Sequence, residues 1–375
     1  MSRFDVRRAG LALAAPVLAL VVSAVLVSVV LLIAGHDPIG AFRQMYDFGT
    51  QGPQVVNILN KSASYYLAAL AVAIGFRMNL FNIGVDGQYQ LAAMLAAVLG
   101  AAVALPGPLH VLFIVVVAAV VGAVWAGIAG VLKVYRGVSE VISTIMLNFI
   151  AGALVAWMLT PQVFATLSNN IVKTSDIPSS GWFPGFTFGD NGPVYGFIVV
   201  SALVGVGYWF LLSRTRFGFD LRATGMSESA AVASGVGVRR MVVSAMLLSG
   251  GVAGLVGMPL LLGESHSFGQ DFPSGIGFTG IAIALLGRNN PVGIAFASLL
   301  WSFLDVSNQI LDLEGIPKEI VIIMQGTIVL AVVVAYEFSR RLALVAEQRR
   351  VAAQLGGSVD GGAAGPVPAG TGAAS

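Results

Sequence analysis

Uncharged polar side chains stand inside or beside long apolar stretches of this sequence, and they are its first candidates for chemistry. Ser143, Thr144 and Asn148 share one apolar stretch, and Asn82 and Gln88 stand just before another. Hydroxyl and amide groups form neutral hydrogen bonds, which suit a solute that carries hydroxyl groups or a nucleobase. The same groups also suit hydrogen bonds between neighbouring helices. The residue types alone leave both roles open.

Covalent and metal chemistry finds little support. The chain has no cysteine, which excludes a thiol nucleophile, a disulfide and a Cys-ligated metal. Its three histidines, His36, His110 and His266, lie far apart in the sequence. No nucleophile and base, and no set of metal ligands, stand together as an active site requires. We therefore expect neither an enzyme nor a metal site.

Nucleotide-binding motifs are also missing or weak. No lysine follows a glycine, so the chain has no P-loop, and another chain must bind ATP if ATP drives this protein. Gly275-x-Gly277-x-x-Gly280 matches the dinucleotide-binding fingerprint. It opens an apolar stretch with no strand before it, so we interpret these glycines as sites of close helix packing.

The composition requires a second solvent besides water. Hydrophobic residues make up 57% of the 375 residues and charged residues 10%, whereas soluble domains carry about 25% charged residues. The surplus apolar surface fits a lipid bilayer. A net charge of +2 gives no electrostatic basis for binding nucleic acid. Membrane lipid is therefore an expected partner, and nucleic acid is not.

Ten apolar windows predict an all-α, polytopic membrane protein with about ten transmembrane helices. Most windows exceed the 9–11 residues of a membrane β-strand and lack strict alternation, so only helices fit. The first window is too long for the apolar core of a signal peptide, so we expect an uncleaved span. The windows are Leu11–Ala34, Ser62–Phe76, Leu91–Leu105, Leu109–Leu132, Val141–Leu159, Val194–Leu212, Met241–Leu262, Gly275–Leu286, Val292–Leu311 and Ile320–Tyr336.

The positive charges predict the orientation. With the N-terminus in the cytoplasm and ten crossings, only Arg43, Lys61, Lys173 and Lys318 of the 20 lysines and arginines fall outside. Positively charged residues favour the cytoplasmic side of short loops. Both termini are therefore expected in the cytoplasm. Residues 1–350 form the predicted transmembrane domain, and the Gly- and Ala-rich tail at 351–375 is expected to be disordered.

Two windows are short, Ser62–Phe76 with 15 residues and Gly275–Leu286 with 12. Short, interrupted segments in both halves of a transporter are typical of an internal repeat. No clear sequence repeat accompanies them, so the repeat is a possibility that the sequence leaves open. Carboxylates near the ends of the windows, Asp86 and Glu140, are interpreted as partners of the nearby Arg77 and Arg136.

The largest predicted cytoplasmic loop, residues 213–240, contains a capped helix. Ser227 is a good N-cap, Glu228 suits the first turn, and Gly235 suits the position after the last turn. A helix this short needs support from packing. A partner protein supplies that support in one interpretation, and lipid headgroups surround the helix in the other. On the outer side, the aromatic loop Thr160–Pro193 suits a binding protein or the interfacial belt equally, and Gly263–Ser274 suits an outer gate.

Four runs resemble the permeases of the branched-chain amino acid, ribose and nucleoside group of ATP-binding-cassette importers. Asn79–Gln88 is similar to the group's signature, and Glu140–Asn148 resembles its nucleoside branch, of the guanosine or purine type. Ala223–Gly235 resembles the loop that contains the coupling helix, and Phe278–Pro291 resembles a late motif. The resemblance extends over Ser62–Leu311. Ser229 stands where the wider family has glutamate.

The resemblance implies roles for specific residues. The predicted substrate pathway contains Asn82, Gln88, Ser143, Thr144, Asn148, Phe278 and Thr279. The predicted contact with the ATPase contains Ser227, Glu228, Ser229, Ala230, Ala231 and Gly235. The implied function is import of nucleosides across the bacterial inner membrane by alternating access.

The implied assembly has several chains. A second permease chain, which is commonly a different subunit, pairs with this one. A cytoplasmic ATPase carries two nucleotide-binding domains, and an extracytoplasmic lipoprotein delivers the solute. ATP and magnesium are used by the ATPase, and this chain is expected to bind no cofactor.

Other functions remain in view. Ribose or another simple sugar fits the same mechanism, since nothing in the chain separates a free pentose from a base-bearing one. Branched-chain amino acids fit less well, because a zwitterion favours charged partners and the polar residues within the spans are mostly neutral. A proton-coupled secondary transporter requires an ionisable relay inside the membrane, and Asp305 is almost alone there.

Overall fold

A computed structural model describes residues 21–168, 171–187, 189–313, 315–317, 319–332, 334 and 341. The tail at 351–375, which is predicted to be disordered, lies outside the described residues. Residues 1–20, which include the start of the first window, also lie outside them. The chain divides into two compact units: residues 1–29 with 326–375, and residues 30–325. The features below belong to the second unit unless stated otherwise.

The described chain is predominantly helical, which confirms the predicted helical class. The helices are α1 Val21–Ile33, α2 Pro38–Gly49, α3 Gly52–Phe76, α4 Val85–Ala102, α5 Gly107–Arg136, α6 Glu140–Met158, α7 Phe197–Arg214, α8 Arg216–Met226, α9 Glu228–Ala233, α10 Val238–Gly254, α11 Met258–Leu260, α12 Ile276–Leu286, α13 Pro291–Leu313 and α14 Glu319–Val332. A π-helical turn, Leu261–Ser265, follows α11, and a 3₁₀ turn, Ser179–Gly181, lies between α6 and α7.

Two small antiparallel hairpins interrupt the helical pattern between α6 and α7. In the first, β1 (Ala165–Ser168) pairs with β2 (Ile171–Thr174), and Ala165 lies opposite Thr174. In the second, β3 (Phe186–Thr187) pairs with β4 (Pro193–Val194). Hairpins this short gain little stability of their own. The first is held where the Thr174 backbone amide donates to the carbonyl oxygen of Phe268, and the second where Asn60 of α3 donates to that of Pro193.

Six helical segments of the described chain are long and apolar enough to cross a membrane: α3, α5, α6, α7, α13 and the segment from α10 through Ser265. The pair α1 and α2, bent by 115°, makes a seventh if it counts as one span. Helices α12 and α14 are apolar but shorter, and α4 begins with polar turns. Each of the ten predicted windows overlaps a described helix, whereas ten crossings remain a prediction.

The prediction that Ser62–Phe76 is a short span was wrong. Helix α3 begins at Gly52 and has 25 residues. Its first turns carry polar residues, including Asn57 and Asn60, that a hydropathy window does not recognise as part of a span. Helix α12 is short, with 11 residues, so the argument for an internal repeat loses one of its two short segments.

Helix α3 is the centre of the bundle. Every residue from Leu67 to Ala73 is fully buried, and the helix packs against α7, α10, α12 and α13. A helix that is apolar on all sides belongs in a core rather than at a lipid boundary. Small residues at this contact allow close approach: a Cβ added to Gly280 of α12 would lie 2.9 Å from the carbonyl carbon of Ala68.

The connecting loops meet at two ends of the bundle. At the first, called the Arg77 end, Arg77 donates to the carbonyl oxygen of Asn289 over 2.7 Å, and Asn79 donates to that of Gly225 over 3.0 Å. At the second, the His266 end, the backbone amide of Ile177 donates to the carbonyl oxygen of His266. Connections that alternate along the sequence therefore gather at opposite ends, as in a polytopic bundle.

Helices α5 and α10 pack with their backbones in contact. A Cβ added to Gly250 would overlap the carbonyl oxygen of Gly122, and one added to Gly254 would overlap that of Ala118. At Gly251, the next residue of α10, an added Cβ would lie 3.6 Å from its nearest neighbouring atom. Small residues at such contacts are how membrane helices associate closely.

The variants Gly250→Ala and Gly251→Ala test this contact as a matched pair. Gly250→Ala forces α5 and α10 apart and should cost about 1–3 kcal/mol, as overpacking does in protein cores. Gly251→Ala adds a methyl group at ordinary contact distance and should leave stability unchanged or slightly raised. The thermal unfolding midpoint of each purified variant is the measurement. Equal midpoints for the two variants would contradict the packing.

Candidate functional site

A cavity of about 460 Å³ lies among α3, the segment from Val256 to Glu264, the start of α12 and α13. Its size is in the range of about 300–1,000 Å³ that is usual for small-molecule sites. Its walls combine amides, hydroxyls and charges with aliphatic and aromatic groups. The lining residues are Asn57, Asn60, Lys61, Ser64, Tyr65, Tyr195, Val256, Gly257, Leu260, Glu264, Phe272, Pro273, Ser274, Ile276, Asp305, Val306 and Gln309.

One face of α3 supplies the polar wall. Lys61 follows Asn57 by four residues, and Ser64 and Tyr65 follow Lys61 by three and four, so these side chains share one face of the helix. This polar stripe begins before the window Ser62–Phe76 and continues into it, and it is the signal that the apolar window does not capture. A search for helical spacing of polar residues beyond the window would have found it.

An ion pair crosses the cavity wall between α3 and α13. Lys61 Nζ lies 2.6 Å from Asp305 Oδ2, and the Tyr65 hydroxyl donates to the same oxygen over 3.3 Å. The side chains of Lys61 and Asp305 are 44% and 31% exposed. The pair therefore fixes α3 to α13 while its charges still face open space.

A strap of loop residues closes over the cavity at the His266 end. The Asn60 amide donates to the carbonyl oxygen of Pro193 over 3.1 Å and accepts from the Tyr195 backbone amide over 2.8 Å. The Tyr195 hydroxyl donates to Glu264 across the cavity. The ring of Tyr195 occupies the space beside Gly263, where an added Cβ would meet it at 2.6 Å. Glu264 is thereby joined to Tyr195, and the role of Gly263–Ser274 as an outer gate stays a prediction.

The loop between α6 and α7 packs on the same end. Trp182 stacks on His266 with ring centroids 3.9 Å apart, and burial lowers the pKa of His266 below its usual value. The Phe183 ring contacts Phe197, whereas Phe186 is exposed. Phe188, which the sequence grouped with these aromatic residues, lies outside the described part of the chain. Trp182 and Phe183 therefore pack against other rings of the protein, whereas Phe186 lies on the exposed surface of the loop.

Next to the cavity, two helices begin inside the bundle, and one carboxylate binds the starts of both. Asp86, in the first turn of α4, accepts from the backbone amides of Gly275 and Gly277 at the start of α12, over 2.8 and 3.2 Å. Gln90 donates to its other oxygen over 2.9 Å. A carboxylate is favoured at a helix N-terminus, and Asp86 lies at two. We call this cluster of Asp86, Gln90, Gly275 and Gly277 the α4–α12 junction.

The expected partners of the two carboxylates were wrong. Asp86 binds backbone amides rather than Arg77, which donates to Asn289 instead. Glu140 pairs with Lys133 over 2.6 Å rather than with Arg136. Proximity in sequence favoured Arg77, but α4 begins within the bundle, away from the Arg77 end.

The predicted pathway residues before α4 form a buried hydrogen-bond network. The Asn82 amide donates to Gln88 over 3.0 Å and to Ser249 over 2.8 Å, and the Gln88 amide donates back to Asn82 over 2.8 Å. Ser249 donates to the carbonyl oxygen of Ala71 on α3. Asn82 and Gln88 are each 1% exposed. The network holds the start of α4 against α3 and α10.

The predicted pathway residues of α6 also bond within the bundle. Asn148 accepts from the Gly87 amide and donates to the carbonyl oxygen of Ile83, both over 2.9 Å. Ser143 and Thr144 donate to carbonyl oxygens one turn earlier in α6, at Ser139 and Glu140. The helix–helix alternative therefore has direct contacts in its favour for Asn148.

Helix α12 carries the remaining two predicted pathway residues. Phe278 is 51% exposed, and Thr279 is partly exposed. None of the seven predicted pathway residues lines the cavity. Their role in a pathway stays a prediction, and the structure gives the cavity as a second candidate.

The predicted coupling segment is present as helix α9. Ser227 caps it by accepting from the Ala230 amide over 3.3 Å, and Gly235 has a φ of +83° after its last turn. Ala231 is buried, whereas Val232 is 61% exposed. The preceding helix α8 reaches the connection between α3 and α4, because Gly225 accepts from Asn79. The coupling segment is therefore connected to the end of α3 through one hydrogen bond between α8 and the α3–α4 loop.

Comparison with known proteins identifies the family. A family model described as "Branched-chain amino acid transport system / permease component" matches residues 54–333. This chain belongs to that permease family. The match contains every residue of the cavity, the α4–α12 junction and α9, so all three are parts of the permease fold. The chain is therefore a multi-pass membrane protein.

Three relatives show what the permease resembles. It is 32% identical to a guanosine ABC transporter permease protein of Bacillus subtilis (strain 168), over 86% of this chain and 93% of the relative. It is 30% identical to a glucose ABC transporter permease protein of Haloferax volcanii, over 93% and 95%. It is 29% identical to a nucleoside ABC transporter permease protein of Lactococcus lactis subsp. cremoris, over 86% and 90%.

Replacement of Asp86 tests the α4–α12 junction. Asp86→Ala leaves the amides of Gly275 and Gly277 without their acceptor, and hydrogen bonds to a charged group contribute about 1.5–3 kcal/mol each. We expect the thermal midpoint to fall by on the order of 5 °C. Asp47→Ala is the control, because Asp47 is an exposed carboxylate paired with Arg43 on α2. A midpoint unchanged in Asp86→Ala would contradict the junction.

Proposed function

We propose that this chain is a membrane-spanning permease subunit of an ATP-driven importer for nucleosides. The similarity to the guanosine permease over nearly the full length of both chains carries the proposal. The similarity to a nucleoside permease supports it, and the cavity provides a site of suitable size. Import of a simple sugar is the second candidate, favoured by the similarity to a glucose permease.

The proposed topology has ten crossings with both termini in the cytoplasm of the bacterial inner membrane. The gathering of alternate loops at the Arg77 end and the His266 end supports it. In this topology the Arg77 end is cytoplasmic, and the excess of positive charge supports that orientation. The cavity, strapped at the His266 end, then faces outward, and α8 and α9 lie on the cytoplasmic side.

The proposed assembly contains partner chains of three kinds. A second permease chain pairs with this one, a cytoplasmic ATPase binds ATP and magnesium, and an extracytoplasmic lipoprotein delivers the solute. The relatives' names, as components of ABC transporters, support the assembly in general. In this proposal the chain itself carries no ATPase site and binds no cofactor.

Alternating access fits the arrangement along α3. From Tyr65 at the cavity to Arg77 at the cytoplasmic end, α3 rises by about 18 Å at ~1.5 Å per residue. Between them lie the contact with α12 at Ala68 and the bond from Ser249 to Ala71. We propose that ATP binding shifts α9 and hence α3, so that the strap and the α4–α12 junction open in turn. Such a cycle needs contacts that differ between the two states.

Uptake in cells tests the substrate. Labelled guanosine is supplied to a strain that lacks its own nucleoside uptake systems, with and without the complete importer, against unlabelled guanosine, glucose, ribose or leucine. We expect uptake that depends on the importer and is blocked by guanosine alone. Block by glucose or ribose would move the assignment to sugars. No importer-dependent guanosine uptake would overturn the nucleoside assignment.

Replacement of Val232 tests the proposed coupling helix. Val232→Asp places a charge on the exposed apolar face of α9, and we expect transport to fall at least about tenfold as a desolvated contact is lost. Co-purification of the ATPase with this chain should weaken in parallel. Val138→Asp, at another exposed valine between α5 and α6, is the control. Transport and co-purification that are normal in Val232→Asp would exclude α9 as the contact.

A further inference from the structure

The cavity contains a group of polar atoms whose hydrogen bonds are incomplete. We propose that Lys61, Asp305 and Tyr65 form a subsite for two hydroxyl groups on neighbouring carbons of the solute, such as those of a ribose ring. The proposal deepens the proposed function and rests on it. It assigns the recognition of the sugar portion to three residues of α3 and α13.

The bonds of Asp305 leave one of its oxygens available. Lys61 and Tyr65 both bond to Oδ2, over 2.6 and 3.3 Å. Within the described chain, Oδ1 accepts no hydrogen bond. A carboxylate oxygen has two acceptor positions, so Oδ1 can accept from a hydroxyl group in the cavity. Carboxylates bind ribose hydroxyls in this way in dinucleotide-binding folds.

Lys61 also keeps donors in reserve. Its ammonium group has three N–H donors, and the described structure uses one of them, on Asp305. A hydroxyl group is both donor and acceptor. One hydroxyl can donate to Asp305 Oδ1 while its neighbour accepts from Lys61, so a diol uses both halves of the pair at once.

The remaining cavity residues suit an apolar ring attached to the sugar. Val256, Leu260 and Phe272 line the cavity along with the polar group. Phe272 stacks on the buried Phe268 with centroids 4.6 Å apart, which fixes its orientation. A planar ring gains from contact with an aromatic face. A ligand with a diol and a flat ring matches the wall better than a uniformly polar sugar does.

The charges of the cavity oppose an anionic ligand. Lys61 is balanced by Asp305, and Glu264 adds a second carboxylate on the wall. A phosphate group would meet more negative than positive charge there. The subsite therefore favours a neutral nucleoside over a nucleotide.

Partial exposure separates this pair from a purely structural one. Ion pairs that remain exposed contribute little to stability, and the Lys61 and Asp305 side chains are 44% and 31% exposed. The groups hold their positions through Tyr65 and through each other, and they still face the cavity. Such an arrangement offers a preorganised site whose polar groups a ligand completes.

Protection of an introduced cysteine tests the subsite without the lipoprotein. The chain has no native cysteine, so Gln309→Cys places a single thiol on the cavity wall. Membranes that contain the complete permease–ATPase complex are treated with N-ethylmaleimide, and labelling of this chain is followed on gels. Guanosine and 2′,3′-dideoxyguanosine are compared as protecting ligands. We expect dideoxyguanosine to need about tenfold higher concentration, because it lacks the two hydroxyls that bond to charged groups.

Two further variants in the Gln309→Cys chain sharpen the test. In Asp305→Asn and in Lys61→Met the difference between the two ligands should shrink to about twofold or less. Asp47→Asn, which alters an ion pair outside the cavity, should keep the tenfold difference. Equal protection by both ligands in the chain that carries Gln309→Cys alone, or no protection by either ligand, would overturn the subsite. This result does not depend on whether the two further variants fold.

Failure of the subsite and failure of the function are distinguishable. If cells take up guanosine through the importer but the two ligands protect equally, nucleosides are imported and the diol is recognised elsewhere. If guanosine is not taken up at all, the proposed function fails. A difference between the ligands that survives Asp305→Asn would also count against the subsite.

Discussion

The structure depends on how it satisfies the backbone amides of helices that begin inside the bundle. Away from water, an unbonded N–H group is costly, and a helix start leaves several of them. Helix α4 has its amides at Gly84 and Gly87 bonded by Asn82 and Asn148. Helix α12 has its amides at Gly275 and Gly277 bonded by Asp86. These side chains let both helices begin at mid-bundle and leave space beside α3 for the cavity.

The same constraint explains which expectations the sequence supported and which it misdirected. The apolar windows predicted the positions of the helices because runs of apolar residues are visible in the sequence. Ser227 and Gly235 predicted the ends of α9 because helix capping depends on residues close together in the sequence. The predicted window for α3 was too short because the first turns of this helix carry polar residues that face a cavity rather than lipid. Asn82, Gln88 and Asn148 resembled solute ligands because the sequence shows that a side chain can form hydrogen bonds. The partner of each hydrogen bond is set by tertiary packing, which the sequence does not show.

In the proposed transport cycle, the strap over the cavity and the α4–α12 junction act as the two barriers that a transporter needs. The strap joins Tyr195, in a loop, and Glu264, in a π-helical turn, to Asn60 of α3, and loop segments open most easily. The junction at Asp86 joins two helix starts within the bundle. Helix α3 carries Asn60 of the strap, packs against α12 at Ala68, and leads into the loop that is bonded to α8. In the proposed cycle, this one helix links the places that change together.

The location of the bound solute tests this account most directly. A structure of the complete importer with guanosine, determined by electron cryomicroscopy in lipid nanodiscs, would show that location. We predict density between α3 and α13, with the sugar beside Lys61 and Asp305 and the base towards Phe272. Density beside Asn82, Ser143 and Asn148 instead, with the cavity empty, would contradict the account and return the pathway to the residues that the sequence favoured.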